Sequence, residues 1–394
     1  MKVNRPQEAL PSDLLQLVER LRGAEYGPEL LRGRLGIAMP DDVGLLNHAH
    51  AVERLRGDGS AAAVALRLFY LETAEAPAAL RALLPAEMQR ALVRARLLAA
   101  RAGRLQARLR IDAFRARYLL ADRRFRGADR TALGLPAGDM VYPPGADSAI
   151  LADAVPVREG ERVLDLCTGT GIQALALAGR AAQVIAVDIG ARAAALARLN
   201  AALNAAANVE VRQGDLFTPV RHERFDLIVA NPPFVPAPTR GPAYHSGGPR
   251  GDRVLRRIVL GLQAHLRDGG RAVIISHLAV RRGETVAAAI APWCKQFAGR
   301  VVALQVETGT PIDLAAAQAL FALDDGFAAY AAEIRRWVAY LERHRIEQIV
   351  LLLIAAERGG RRDVEVMDAF QRTFPLPLSQ PPAALLAKWF TGGE

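Results

Sequence analysis

Cysteine is nearly absent from this 394-residue chain: only Cys167 and Cys294 occur, far apart and outside any Cys-x-x-Cys or His/Cys cluster. That excludes a disulfide framework and a cysteine-ligated zinc site, and no metal is expected. Long apolar runs are lacking as well. None approaches the roughly 18 residues of a membrane-crossing helix, and the opening MKVNRPQEALPSDLL has no apolar core of a signal peptide. A cytoplasmic protein without a membrane partner is the expectation. Histidines are few and dispersed, no Ser/His/Asp order carries a nucleophile elbow, and no phosphate loop ends in Gly-Lys-Ser or Gly-Lys-Thr.

What is present is apolar bulk and arginine. Hydrophobic residues make up 51% of the chain, enough for the cores of two domains. The net charge is +10, and only three of the 51 basic residues are lysine. A positive balance points toward nucleic acid or another polyanion, although a preference for Arg and Ala over Lys is also the mark of a coding bias. Location says more than the total: between Arg90 and Arg130, thirteen arginines stand against three acids, Asp112, Asp122 and Asp129.

From Pro11 to about Arg101 apolar residues recur at three- and four-residue spacing, in LLQLVERL, VGLLNHAHAVERL and MQRALVRARLLAA, which predicts a small helical domain. Leu105, Ala107, Leu109 and Ile111 then alternate with Arg104, Arg108 and Arg110, and Phe114 to Leu120 follows, the pattern of a hairpin. Helices followed by a basic hairpin resemble a winged-helix module, with Arg104 to Arg124 as an RNA- or DNA-facing surface; a hairpin merely solvated by arginine fits equally well. A Gly- and Pro-rich loop, LPAGDMVYPPGADS, leads into strict strand-helix alternation, with strands at Arg162 to Leu166, Gln183 to Asp188, Val209 to Gln213, Phe225 to Ala230, Arg271 to Ser276, Val301 to Val306 and Ile349 to Ile354. The expected fold is therefore α/β: a Rossmann-like, doubly wound, seven-stranded parallel sheet behind a mainly helical amino-terminal domain. The expected divisions are 1–134, 135–360 and a tail, 361–394. Asp313 to Arg345 reads as a helical insertion late in the sheet, and the closing AALLAKWF carries no assigned role.

Candidate chemistry lies where these strands end, since ligands of open α/β sheets bind outside the carboxyl ends of the strands. The first strand runs into DLCTGTG, a turn whose free N–H groups, at Cys167, Thr168, Gly169 and Gly171, can cradle a ligand at the start of a helix. The same glycines satisfy a relaxed dinucleotide fingerprint, so a dehydrogenase competes. Asp165 discriminates: a carboxylate there repels a pyrophosphate but attracts an ammonium, such as the amino group of S-adenosylmethionine. Asp188, with Ile189 after it, closes the second strand and can accept from ribose hydroxyls; Asp215 and Leu216 follow the third and can meet an adenine. The fourth strand, FDLIVA, stops abruptly at Asn231-Pro232-Pro233-Phe234, because proline cannot donate to a ladder and restricts the residue before it. A short amide, a locked backbone and an aromatic face suit a flat acceptor.

Together, Asp165 to Gly171, Asp188, Asp215 and Asn231 to Phe234 resemble the motifs of class I S-adenosylmethionine-dependent methyltransferases over about Val141 to Arg358. The Asn-Pro-Pro-Phe form is similar to that of the amino-methylating branch, which includes release-factor glutamine and ribosomal RNA guanine and adenine methyltransferases. The resemblance implies S-adenosyl-L-methionine as cofactor, Asn231 and the Pro232 carbonyl as acceptors of the two N–H bonds of a planar nitrogen, and Phe234 as a stacking platform. It also implies that VYPPGADS closes over the cofactor. Pro233, Tyr244 and His245 are further candidates for touching substrate. The main expectation is methylation of an exocyclic amine of a nucleic-acid base, RNA before DNA. Protein glutamine and small-molecule amines remain alternatives, and a non-catalytic binding module is disfavoured by the intact Asn-Pro-Pro-Phe.

Overall fold

The computed structural model describes residues 12–37, 43–44, 47–124, 140–236, 247–360, 363–368 and 382–391. Short helices come first among the described residues: α1 (Ser12–Gly23), α2 (Pro28–Leu35), α3 (His48–Arg54), α4 (Ala61–Ala65), which widens into a π turn over Leu66–Tyr70, and α5 (Ala86–Arg94). Leu14, Leu17, Leu21, Leu31, Leu66 and Leu92, spaced along these helices, share one core, each buried leucine contributing roughly 1.5–3 kcal/mol.

Two short antiparallel pairs follow, β1 (Leu98–Arg101) with β2 (Arg104–Ala107) and β3 (Arg110–Phe114) with β4 (Arg117–Ala121), where a single hairpin is expected from sequence. The alternation from Arg104 to Ile111 is thus broken at Arg108 and Leu109, between β2 and β3. The expectation of a solvated basic face is also corrected. Arg104 is exposed, but Arg110 is 1% exposed. Its Nε donates to both Asp112 oxygens at 2.8 and 2.9 Å, its Nη1 donates to the Tyr70 carbonyl at 2.7 Å, and its guanidinium lies over the Tyr70 ring. Glu72, wholly buried, completes the cluster with Arg110 and with Arg123, which is itself buried. A charge this deep is tolerated only where paired, so these arginines hold the strand pair down instead of presenting it.

The remaining elements are α6 (Ala146–Ala154), β5 (Arg162–Leu166), α7 (Ile172–Leu177), β6 (Gln183–Asp188), α8 (Ala191–Leu203), β7 (Val209–Gln213), β8 (Phe225–Ala230), α9 (Arg253–His265), β9 (Leu266–Arg281), α10 (Val286–Cys294), β10 (Gly299–Gly309), α11 (Pro311–Ala319), α12 (Phe327–Arg343), β11 (Ile346–Arg358), β12 (Asp363–Asp368) and α13 (Pro382–Thr391). The sheet order is β12-β10-β11-β9-β8-β5-β6-β7. Successive strand residues serve opposite faces: Leu164, Leu166, Ile185, Val187 and Ile228 pack in one core, and Val163, Val184, Ala186, Leu227 and Val229 in the other.

Two features differ from the expected seven-stranded parallel sheet. β11 runs antiparallel to both β9 and β10, because the α11–α12 pair returns the chain to the same edge at which β10 left it. An eighth strand, β12, pairs parallel with β10; its Val364 and Val366 pack beneath while Asp363 and Glu365 face outward, a polar edge that hides its strand character. In the expected tail, α13 buries Leu386 and Phe390 in the same core as β5 and β6.

The amino-terminal part docks on α8. Asn204 accepts from the Tyr118 N–H at 3.1 Å and donates to its carbonyl at 2.7 Å; one turn earlier Asn200 does the same to Leu120 at 2.8 and 2.9 Å. These two amides act as a neighbouring strand for β4. The expected boundary at residue 134 lies outside the described residues. No helix among the described residues is long and apolar enough to cross a membrane.

Candidate active site

The strands β5, β6, β7 and β8 lie adjacent and parallel, which brings their carboxyl-end residues Asp165, Asp188, Asp215 and Asn231 to one edge of the sheet. The turn after β5 is built for this. Cys167, Gly169 and Gly171 all have positive φ, and Gly171 sits where an added Cβ would press on Ala197 of α8 at 3.4 Å. Asn200 ties the turn to α8 by donating to the Thr170 carbonyl at 2.8 Å.

Asp165 is 1% exposed. One oxygen, Oδ2, accepts from the Thr168 hydroxyl at 2.5 Å and from the Ala174 N–H at 3.0 Å, while Oδ1 is buried without a donor. Burial pushes its pKa up to about 7, and the nearby Asp188 charge adds to this. Asp188 receives the N–H groups of Gly169 and Gly190, each at 2.9 Å, yet burial still holds its pKa above the usual range. Next to it, Ile189 is 60% exposed, an apolar side chain left open to solvent beside a carboxylate. Leu216 is buried at φ +49. Loss of water contact, followed by the Asp188, Asp165 and Asp215 charges, raises the Cys167 thiol well above its ordinary range and keeps it from acting as a thiolate. Asp215, expected to meet an adenine, is paired with a residue that the sequence reading did not include: both oxygens are held by Arg257 of α9, at 3.0 and 2.8 Å.

At the end of β8, the Asn231 amide nitrogen donates to Asp147 Oδ2 at 2.9 Å and reaches Ser148 Oγ at 3.4 Å. Both contacts engage the nitrogen, so the carbonyl oxygen Oδ1 is the atom left to accept. Asp147 and Ser148 start α6, directly after the Pro143-Pro144 loop, and Gln173 of α7 donates to the Ser148 carbonyl at 2.8 Å, fastening that start to the turn after β5. Pro232 is buried and Pro233 half-buried. Phe234 meets the ring of His277 edge-on at 4.5 Å; burial pushes that histidine down to about 4, so a neutral imidazole supports the aromatic ring. Behind Phe234, Trp337, Tyr340 and Leu341 of the helical insertion form a small core with Val235 and Ala279. Gly251 closes the loop: an added Cβ would lie 2.1 Å from the Phe234 carbonyl oxygen.

Sequence reasoning places Asp165, Cys167, Thr168, Gly169, Gly171, Asp188, Ile189, Asp215, Leu216, Asn231, Pro232, Pro233 and Phe234 along this edge. Tyr244 and His245 lie outside the described residues. Missed were Asp147, Ser148, Arg257 and His277; the only signal for the first two was their place in the Pro-rich loop.

Residues 145–290 match the family model described as the methyltransferase small domain. A release factor glutamine methyltransferase of Xylella fastidiosa is 40% identical over 125 residues, which cover 29% of this chain and 46% of that protein. The chain thus spans about half the length of that relative. A Methanocaldococcus jannaschii protein whose name proposes protein N5-glutamine methylation is 32% identical over 153 residues, covering 37% of this chain and 77% of that protein. Among solved structures, a ribosomal protein L11 methylase from Lactobacillus delbrueckii subsp. bulgaricus is 19% identical and covers 54% of this chain and 78% of that one, with a TM-score of 0.31.

Proposed function

The chain belongs to the class I S-adenosylmethionine-dependent methyltransferases, and from that premise we propose that it methylates the side-chain amide nitrogen of a glutamine in a protein substrate. The observation that carries the reading is the Asn231 amide, engaged through its nitrogen by Asp147 so that its oxygen is the atom left to accept a hydrogen bond. The relatives' names favour glutamine over the nucleic-acid base expected from the arginine content. The inward turn of Arg110 and Arg123 removes part of the basic surface on which that expectation rested.

The residues at the sheet edge fit the cofactor. The orphaned Asp165 Oδ1 is a buried acceptor suited to an ammonium group, Asp188 is placed for ribose hydroxyls, and Ile189 and Leu216 offer apolar faces to an adenine. Asp215 is the weakest of the expected contacts, because the Arg257 guanidinium pairs with its carboxylate and neutralises the charge, whereas Asp188 accepts only backbone N–H groups and keeps lone pairs to spare. When bound, S-adenosylmethionine supplies a methyl group on a cationic sulfur. An amide nitrogen is a poor nucleophile because its lone pair is delocalised, so Asn231 Oδ1 and the Pro232 carbonyl act by accepting its two hydrogens and aiming that lone pair. Asp147 keeps the Asn231 amide from flipping, and its negative charge makes Oδ1 a stronger acceptor. Phe234, braced by His277, packs against the flat face of the amide. The methylated nitrogen is acidic and releases its proton to water or to the acceptor already in contact, so no histidine base is required.

The test is transfer of tritiated methyl from S-adenosylmethionine into a cell extract separated into protein, RNA, DNA and small molecules. Label in protein, released as volatile methylamine on acid hydrolysis, is the expected result; label in RNA or DNA overturns the substrate assignment. Asn231→Ala is expected to lower turnover by roughly 100-fold or more while cofactor affinity stays within about twofold, since the side chain acts on the acceptor. An equal loss of both would show that Asn231 belongs to the cofactor site.

A further inference from the structure

A second basic cluster lies beyond the catalytic edge, in a part of the chain that the methylation reading does not use. A shallow cleft of about 540 Å³ is lined by Arg281, Arg282, Glu284, Arg343, His344 and Arg345, with Gly283 and Ala288 completing its wall. The residues come from two turns, one leaving the carboxyl end of β9 and one joining α12 to β11. The Arg282 N–H donates to the Arg345 carbonyl at 2.8 Å, and Arg281 pairs with Ile346 in the sheet, so the two turns are pinned together and their arginines line one cleft. Arg282, Arg343 and Arg345 are exposed.

The charge balance is one-sided. Four arginines face one carboxylate, Glu284, and that carboxylate is already held by Arg250 at 3.0 Å and by the Arg281 N–H at 3.2 Å. The Nε–H of Arg281 is buried and has no acceptor. A buried donor without a partner is destabilising, and here it belongs to an arginine that lines a cleft with surplus positive charge, so both observations ask for the same thing, an anion. A planar carboxylate is satisfied by one guanidinium fork. Arginines converging from two turns match an oxyanion with three or more acceptor oxygens and more than one charge.

We propose that this cleft is a binding site for a phosphate group, with Arg281, Arg282 and Arg345 as its principal donors. Because β9 runs parallel beside β8, the site lies at the same end of the sheet as Asn231. Tyr340, whose hydroxyl donates to the Pro249 carbonyl at 2.5 Å and whose ring lies 4.5 Å from that of His344, links the cleft to the loop behind Phe234. The phosphate can belong to a free phosphorylated compound or to an RNA backbone. The proposal does not depend on which nitrogen is methylated.

The experiment is calorimetric titration of inorganic pyrophosphate, and separately of a short single-stranded RNA, into the full-length protein. Comparison variants are Arg282→Ala/Arg345→Ala in the cleft and Arg94→Ala/Arg96→Ala on the exposed end of α5, which remove equal charge. Saturable binding of pyrophosphate by the wild type, weakened at least tenfold in the cleft variant and unchanged in the α5 variant, is expected. If RNA binding falls in step, the phosphate belongs to a backbone; if only pyrophosphate responds, it belongs to a small ligand. Asn231→Ala should bind pyrophosphate like the wild type, which separates this site from methyl transfer. No saturable pyrophosphate binding by the wild type, or an equal loss in both double variants, overturns the proposal.

Discussion

Arg110 and Asp165 are both 1% exposed, yet the protein treats them in opposite ways. Arg110 has Asp112, Glu72 and the Tyr70 carbonyl arranged around its guanidinium. Asp165 has donors on one oxygen and none on the other. A buried charge with its partners in place serves the fold; one with an open atom at the end of a strand, beside a glycine turn, is prepared for something that arrives later. The difference teaches that the arginines and aspartates of this chain cannot be read by composition: Arg110 is bound into the fold, while Asp165 keeps an unpartnered oxygen at the sheet edge.

The comparison breaks most visibly at Arg110. Arg110→Met should remove roughly 3–5 kcal/mol of stability, because Asp112 then loses the cation beside it and Glu72 is left with Arg123, as measured by urea denaturation. The cofactor affinity of the folded fraction should not change. A loss below about 1 kcal/mol would mean that the cluster is not structural.

Asp165→Asn should do the reverse. Cofactor affinity falls by roughly 10- to 100-fold, matching the 1.5–3 kcal/mol of a hydrogen bond to a charged group, while thermal stability at pH 8 stays level or rises. A pKa raised from 3.8 to about 7 means that the folded protein keeps a proton that the unfolded chain has released. The stability due to this group is therefore full below about pH 4 and is lost as pH climbs to 7. The wild type's deficit against the Asn variant should widen across that window and be flat above it. For the same reason cofactor affinity should rise with pH up to about 7 and then level off, since an ammonium must meet an ionised carboxylate. An affinity independent of pH between 5.5 and 8 would detach Asp165 from the cofactor.

The smallest effect sharpens the comparison from the other side. Arg104 is exposed and donates only to the Ala74 carbonyl, at 2.9 and 2.7 Å. Arg104→Ala should change stability by no more than about 0.5 kcal/mol, although Arg104 and Arg110 occupy the same register of the alternating sequence. A cost like that of Arg110 would show that alternation, and not burial, sets the role of these arginines.

The candidate site at the sheet edge was legible because its signals are local. A strand buried on both faces is a run of apolar residues, and where it meets a short polar residue followed by glycine or proline the backbone has to turn there. Asp165, Asp188 and Asn231 are each found this way, and the parallel sheet then brings them together. β12 was missed because a strand at the polar edge of a sheet packs only a few residues, Val364 and Val366 on one face and Met367 on the other, each partly buried. The antiparallel course of β11 depends on how the α11–α12 pair doubles back, which no periodicity encodes.

By itself, then, the sequence determined β5 to β8, their endings and the order in which polar groups reach the sheet edge, since period, turn and proline chemistry act within a few residues. Tertiary structure alone decided which charges meet. The Asn231 amide is oriented by Asp147, 84 positions away. Asp215 is taken by Arg257, and Arg110 turns inward toward Tyr70 and Glu72. Cation and carboxylate attract without regard to separation along the chain, and only the packed fold sets which pairs are close enough, and dry enough, for that attraction to hold them.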